Sequence, residues 1–498
     1  EAGFVVDTQG FGTTTIMALG VTAGVAANTY KILPELYSVV PNKGTVGTMI
    51  TIKGSGYAAM DAITIAFGNN TNRKQTTANA VGCFETSFTV DIQGCGTVSI
   101  IATGASSMAA INFFVIKPEV YSVAPATGTV GTVVEVMGAG YPASDTVSLS
   151  FGLTNNLKTT MTNNMGMFAV SFTVDVQAFG STTITVTGTG NSVGSSSFFI
   201  TSSLYQVAPG SGTVGTVVEL RGAGYGATDT IRISFGETVT VKTAVSDSYG
   251  YLVTTFTVDT QSYGSTVITA AGRGIAQNSF AILPSIYSVT PYRATVGTIV
   301  TVRGAGYARN ESIGLSLGNN QDIQTASTAN NGLFVASFTV DTQGYGLTMV
   351  KAVGVSAGTA TNSLFICPQV YEVSPTRGTI GTTVTIRGTG YAGYDSVTVS
   401  FGNNASIKMD TAGVNGYLET SFVVDTQGCG VKTIVAAGAS SESATNTFTI
   451  TPGLYSVLPA SGTVGTSVEV RGTGYNPTEL ITIGFGDTAN IGQVLSDN

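Results

Sequence analysis

The sequence predicts an all-β protein: a linear array of two-sheet sandwiches of about 84 residues each, with one sandwich divided between the two chain ends. Three observations predict it. The stretch Gly44-Thr-Val-Gly-Thr-Met-Ile-Thr-Ile-Lys-Gly-Ser-Gly-Tyr57 returns at 128–141, 212–225, 294–307, 378–391 and 462–475. Tyr37, Tyr121, Tyr205, Tyr287, Tyr371 and Tyr455 stand 84, 84, 82, 84 and 84 residues apart, and Asp7, Asp91, Asp175, Asp259, Asp341 and Asp425 stand 84, 84, 84, 82 and 84 apart. Between these markers, short runs alternate apolar and polar residues and end at Gly, Asn, Asp or Pro, the pattern of half-buried strands in a repeat architecture.

Residues 35–118 serve as the type repeat. Leu36–Val40 reads as a strand ended by Pro41. Thr-Val-Gly-Thr is a turn in which Gly47 can take positive φ without steric cost. Thr48–Lys53 follows as a strand with Ile50 and Ile52 on one face. Gly54-x-Gly56 then bends the chain, and Tyr57 packs over the turn while its hydroxyl finds a backbone partner. Ala62–Phe67 alternates cleanly and turns at Gly68-Asn69-Asn70. Arg73–Thr77 is polar and reads as an edge strand. Phe84–Val90, Thr97–Ala102 and Asn112–Ile116 complete seven strands, which predicts an Ig-like sandwich. Pro34, Pro118, Pro284, Pro368 and Pro452, with Ser202 at the sixth place, fall between repeats in short, stiff linkers, so a rod is expected. The expected divisions are 1–34 (back half of a repeat), 35–118, 119–202, 203–284, 285–368, 369–452 and 453–498 (front half).

Composition narrows the function classes. Only 10% of residues are charged and 64 of 498 are glycine, while β-branched and aromatic residues abound. That suits polar, uncharged sheet surfaces and excludes a disordered chain. A net charge of −8 with no basic stripe argues against a nucleic-acid partner. Weak surface charge leaves little repulsion between neighbouring copies. No apolar run is long enough to span a membrane, and no signal peptide is visible. With no histidine, no Cys–His pair and no phosphate loop, neither an enzyme nor a cofactor is expected; Gly-x-Gly-Tyr joins two strands and opens no helix.

The first half of the repeat, Pro41-x-x-Gly44-Thr-Val-Gly-Thr48-x-x-Thr51-Ile52-x-Gly54-x-Gly56-Tyr57, resembles the IPT/TIG family of Ig-like domains. The second half, Gly82-x-Phe84 through Phe88-Thr-Val-Asp91, Gly96, Ala102-x-Gly104 and Phe113, is similar to tandem Ig-like repeats of prokaryotic surface and secreted proteins. The resemblance covers the whole chain. It implies the fold and an extracellular or cell-surface setting, and leaves spacer, adhesin and fibre roles open.

Candidate site residues are few. Asp91 of Val-Asp-x-Gln, with Asp175, Asp259, Asp341 and Asp425, reads first as a strand-end turn accepting a backbone N–H. The alternative is a calcium ligand at a domain junction, for which no second carboxylate recurs. Lys53, Arg221, Arg303, Arg387 and Arg471 share one position, read as a solvated face with cross-strand pairs or as a lateral contact. Asn69, Asn310 and Asn404 head N-x-[ST] triplets, candidate glycosylation sites on exposed turns. Cys83, Cys95, Cys367 and Cys429 lack metal-ligand spacing. Cys95 and Cys429 occupy one repeat position, held elsewhere by Phe11, Phe179, Tyr263 and Tyr345; they are either buried small hydrophobes or a disulfide to a neighbouring repeat or chain.

The ends complete the reading. Residues 1–34 hold only the back of a repeat and 453–498 only the front, four short of a whole one. The four positions correspond to Tyr249-Gly-Tyr-Leu252. Each half leaves strand edges and an apolar face open. The expected partner is the protein itself, head to tail and laterally, in an extracellular filament or sheath. The completing half comes from a separate chain or from further along one longer polypeptide. The competing expectation is a stalk that presents an adhesin's binding domain.

Overall fold

A computed structural model describes residues 1–497; Asn498, the last residue of the expected closing turn, lies outside the described residues. The repeat 35–118 contains β1 (Glu35–Val40), β2 (Lys43–Gly44), β3 (Met49–Ser55), β4 (Ala62–Phe67), β5 (Asn70–Thr77), β6 (Phe84–Thr89), β7 (Gly96–Gly104) and β8 (Ala109–Ile116). Two sheets form, in the orders β1-β3-β6 and β2-β8-β7-β4-β5. All pairs are antiparallel except β2 with β8, where Lys43 faces Val115 and Gly44 faces Ile116. β1 and β2 thus place one continuous stretch in both sheets, an immunoglobulin-like arrangement. The eighth strand was not expected, because two residues are too short to carry a periodicity. β5 begins at Asn70 rather than Arg73 and does lie at a sheet edge.

Period-2 patterning builds the core. Ile50 and Ile52 on β3, Ile63, Ile65 and Phe67 on β4, Ile100 and Ala102 on β7, and Phe114 and Ile116 on β8 are all buried between the sheets. Phe67 meets Phe88 and Phe114 edge-on, with centroids 5.5 and 5.9 Å apart. Gly54 lies inside β3, not in the bend, and the Phe84 ring occupies the space a side chain there would fill. The bend falls at Gly56, whose φ is +75° and whose Cβ would strike the Leu33 carbonyl.

The chain divides into two compact units whose boundary runs through the third repeat. In the first unit, 119–202 repeats both sheet orders of 35–118. In the second, 285–368 and 369–452 do the same. In 203–284, the counterparts of the β1–β3, β4–β5 and β4–β7 pairs stand in the first unit, and that of β2–β8 stands in the second. The protein is a tandem array of immunoglobulin-like sandwiches.

The motif tyrosine behaves as its chemistry requires. Tyr57, Tyr141, Tyr307 and Tyr391 are buried, and their hydroxyls donate to the carbonyls of Ala102, Val186, Ala352 and Ala436 at 3.1–3.3 Å. Burial pushes each phenol well above its ordinary pKa. Tyr225 is equally buried, but its hydroxyl has no hydrogen-bond partner among the described residues. Tyr391→Phe is therefore expected to cost about 1 kcal/mol, while Tyr225→Phe leaves stability unchanged or raises it. Urea titrations of the two variants check this; equal losses would contradict it.

Candidate functional site

Each complete repeat is joined from a front part (β1–β5) and a back part (β6–β8). Three strand pairs cross that division: β3 with β6, β4 with β7, and β2 with β8. Three polar clamps cross it as well. The first is the tyrosine bond from Tyr57 to Ala102. The second is an acid at the start of β4, buried at Asp61, Asp145, Glu311 and Asp395 and half-buried at Asp229, which accepts a backbone N–H from the hairpin after β7. The donors are Ser106, Thr189, Arg273, Ser356 and Ser440, at 2.6–3.0 Å. Sequence reasoning missed this acid, although an acidic residue recurs at that position in all six copies.

The third clamp is Val-Asp-x-Gln. Asp91 Oδ1 accepts from Gln93 Nε2 at 2.6 Å and Oδ2 from Asn70 Nδ2 at 3.0 Å. Gln93 in turn donates to the Phe67 carbonyl at 2.9 Å and accepts the Asn69 N–H at 3.0 Å. Asp341 and Asp425 repeat the two carboxylate bonds with Gln343 and Asn320, and with Gln427 and Asn404. Asp175 binds Gln177 and the Thr154 hydroxyl, and Asp259 takes Gln261. The expected strand-end turn is corrected here: Asp91, Asp175, Asp341 and Asp425 take side-chain donors from the β4–β5 turn and so tie the back part to it. Among the described residues, no group of three or more His, Cys, Asp or Glu is placed to hold a metal ion. Thermal melts with and without EDTA are expected to superimpose. A fall of more than about 10 °C, well beyond the shift for 1 kcal/mol in such a domain, would return calcium to these aspartates.

The other candidates separate by location. Asn69 and Asn310 are exposed, Asn310 donating to Asn330 at 2.9 Å. Asn404 is half-buried and its amide is committed to Asp425, so a glycan there would break a clamp. Lys53 pairs with Glu85, Arg221 with Glu219, Arg471 with Glu469, and Arg387 with both Glu372 and Glu419. These are exposed pairs of small energetic value. All four cysteines are free thiols. Cys95 lies at a junction, its N–H 3.4 Å from the carbonyl of Tyr141 in the next repeat. Phe11, Phe179, Tyr263 and Tyr345 make the same bond to Tyr57, Tyr225, Tyr307 and Tyr391. Burial, then the Asp145 carboxylate, raise the Cys95 thiol pKa.

The terminal halves show what the complete repeats conceal. In residues 1–34, Gly12–Gly20 pairs with Gly24–Ile32 and with no other described strand. Phe4, counterpart of Phe88, is 69% exposed against 6%. In residues 453–497, Gly453–Leu458 pairs with Glu469–Thr473, and Leu480–Phe485 with Thr488–Leu495. Phe485, counterpart of the fully buried Phe67, is 76% exposed. Leu454, Val470, Tyr475, Ile481, Ile483 and Val494 line an open groove of about 1050 Å³. The clamps are half-built: Gln9 already donates to Asp7 at 2.7 Å, and Glu479 already accepts the Asn476 N–H at 2.8 Å.

Residues 368–407 match the IPT/TIG domain family. No curated protein matches the chain. Among solved structures it is similar to the N-terminal eight Ig domains of Down syndrome cell adhesion molecule, at 14% identity and TM-score 0.18 over 90% of this chain and 64% of that one. The chain thus spans less than two thirds of that fragment. It is also similar to invasin, a bacterial integrin-binding protein, at 12% identity and TM-score 0.29 over 86% and 82% of the two chains. A Ca2+-stabilized ice-binding adhesin of an Antarctic bacterium aligns at 16% identity and TM-score 0.15 over 67% and 98%.

Proposed function

We propose that this chain is a structural unit of an extracellular filament or sheath, in which units join head to tail by completing a divided Ig-like sandwich. The observation that carries this reading is the pair of open apolar faces. The front half ending the chain exposes the counterparts of buried core residues, and the back half at its start does the same. Each lacks the strands the other supplies. Such a contact uses two different surfaces, does not close on itself and propagates. The completing half belongs to a second copy of the chain, or to repeats continuing along one longer polypeptide. Side-to-side contact between the weakly charged sheet faces adds to the assembly. Nucleic acid has no place in this reading.

An array of like repeats also suits the stalk of a cell-surface adhesin; the two open faces favour the filament. Negative-stain microscopy of native material tests the choice. Long uniform filaments are expected, and isolated single chains would contradict the proposal. Denaturing mass measurement separates the two sources of the completing half: a species of single-chain mass means separate copies, and a far larger one means a continuous polypeptide.

A further inference from the structure

In three complete repeats the acid and the hairpin it holds fall into two matched combinations, while Asp145 and Asp229 hold hairpins of other sequence. In 35–118 and 369–452 the acid is aspartate and the hairpin begins Gly104-Ala-Ser-Ser107 or Gly438-Ala-Ser-Ser441. Asp61 accepts the Ser106 N–H at 3.0 Å and the Ser107 hydroxyl at 2.5 Å, and Ser107 Oγ accepts the Ala58 N–H at 2.9 Å. Asp395 makes the corresponding bonds to Ser440 and Ser441, at 2.9 and 2.5 Å. In 285–368 the acid is Glu311 and the hairpin is Gly354-Val-Ser-Ala-Gly358. The longer side chain reaches the Ala308 N–H itself, at 2.6 Å, and takes the Ser356 N–H at 2.8 Å. The relay serine is then unnecessary, and buried Ala357 stands in its place.

The terminal halves carry the second combination. Glu479 occupies the acid position and already takes the Asn476 N–H through Oε2. Residues 20–24 read Gly-Val-Thr-Ala-Gly, with Thr22 for Ser356 and Ala23 for Ala357. Hairpin geometry agrees: Gly20 pairs with Gly24 and Gly354 with Gly358, and the second glycines have φ of +89° and +84°. In 35–118 the ladder instead ends at Thr103 and Ala109. We infer that Glu479 is the specificity determinant of the head-to-tail joint. It selects the Gly20–Gly24 hairpin of a second copy, whose Thr22 N–H it accepts with its free oxygen, and disfavours back halves of the Gly-Ala-Ser-Ser type. This inference rests on the head-to-tail reading.

Four 498-residue chains test it by sedimentation: the natural one, Glu479→Asp, one with residues 21–24 replaced by the sequence of 105–108, and the combination. Each single change is expected to weaken end-to-end association about tenfold or more, the size of a lost hydrogen bond to a charged group. The combination is expected to regain most of it. Equal association in all four, with Phe485→Asp still preventing assembly, overturns the hairpin match and leaves the head-to-tail reading standing. If Phe485→Asp assembles like the natural chain, the underlying reading fails and the inference with it.

Discussion

Phe485→Asp is expected to abolish end-to-end association of the 498-residue chain. Phe485 lies where Phe67, Phe151, Phe235 and Phe401 lie in complete repeats, and those four are fully buried. Burying one phenylalanine contributes roughly 1.5–3 kcal/mol, and a carboxylate in its place adds the cost of an unpaired buried charge. Together these weaken association by at least about 100-fold. Leu153→Asp, at a 75% exposed turn residue, is the matched control and is expected to leave association unchanged. Sedimentation of the two variants side by side reads the difference. Equal assembly would mean that the open face of residues 453–497 is not a joint.

Gly416→Val is expected to unfold the repeat 369–452, at a cost of about 4 kcal/mol or more. Gly416 has φ of +75°, a conformation that a β-branched residue strongly resists. A Cβ there would also collide with the Tyr391 carbonyl. That same carbonyl accepts the Tyr345 N–H across the junction at 2.9 Å, and the Tyr391 N–H donates to Gly416. One branched side chain therefore damages the backbone pairing of Tyr391 with Gly416 and the joint to the preceding repeat together. Gly430→Ala separates strain from collision: its φ is +106°, but nothing lies within 4 Å of its Cβ. It is expected to cost only about 1–2 kcal/mol. Similar losses for the two variants in urea titration would contradict the steric account.

Much of this architecture was legible in the sequence. The step between Tyr37 and Tyr121 defined the repeat, and alternation in Ala62–Phe67 placed a strand whose bounds the structure reproduces. Tyr57 was read correctly as a buried ring with a backbone partner, since a phenol can fill a core only if its hydroxyl is satisfied. Two features escaped for physical reasons. Lys43–Gly44 is a strand only because Val115 and Ile116 lie alongside it, a pairing between residues distant in sequence. Asp91 was read with its near neighbours, whereas Asn70, one of its partners, sits across the sandwich and becomes adjacent only on folding. Asp61 is different. Its signal, an acid at one position of every repeat, is present in the sequence itself.

The division of one sandwich between two ends is tested most directly by disulfide trapping in the register of the complete repeat. Thr64 faces Thr103 where β4 pairs with β7, and the corresponding positions in the terminal halves are Thr482 and Leu19. A chain carrying Thr482→Cys and Leu19→Cys, with its four native cysteines replaced by serine, is expected to oxidise into a ladder of covalent multimers. An out-of-register chain with Thr482→Cys and Thr15→Cys is expected to remain unlinked. No ladder, or ladders of equal yield from both chains, would contradict completion of the divided sandwich.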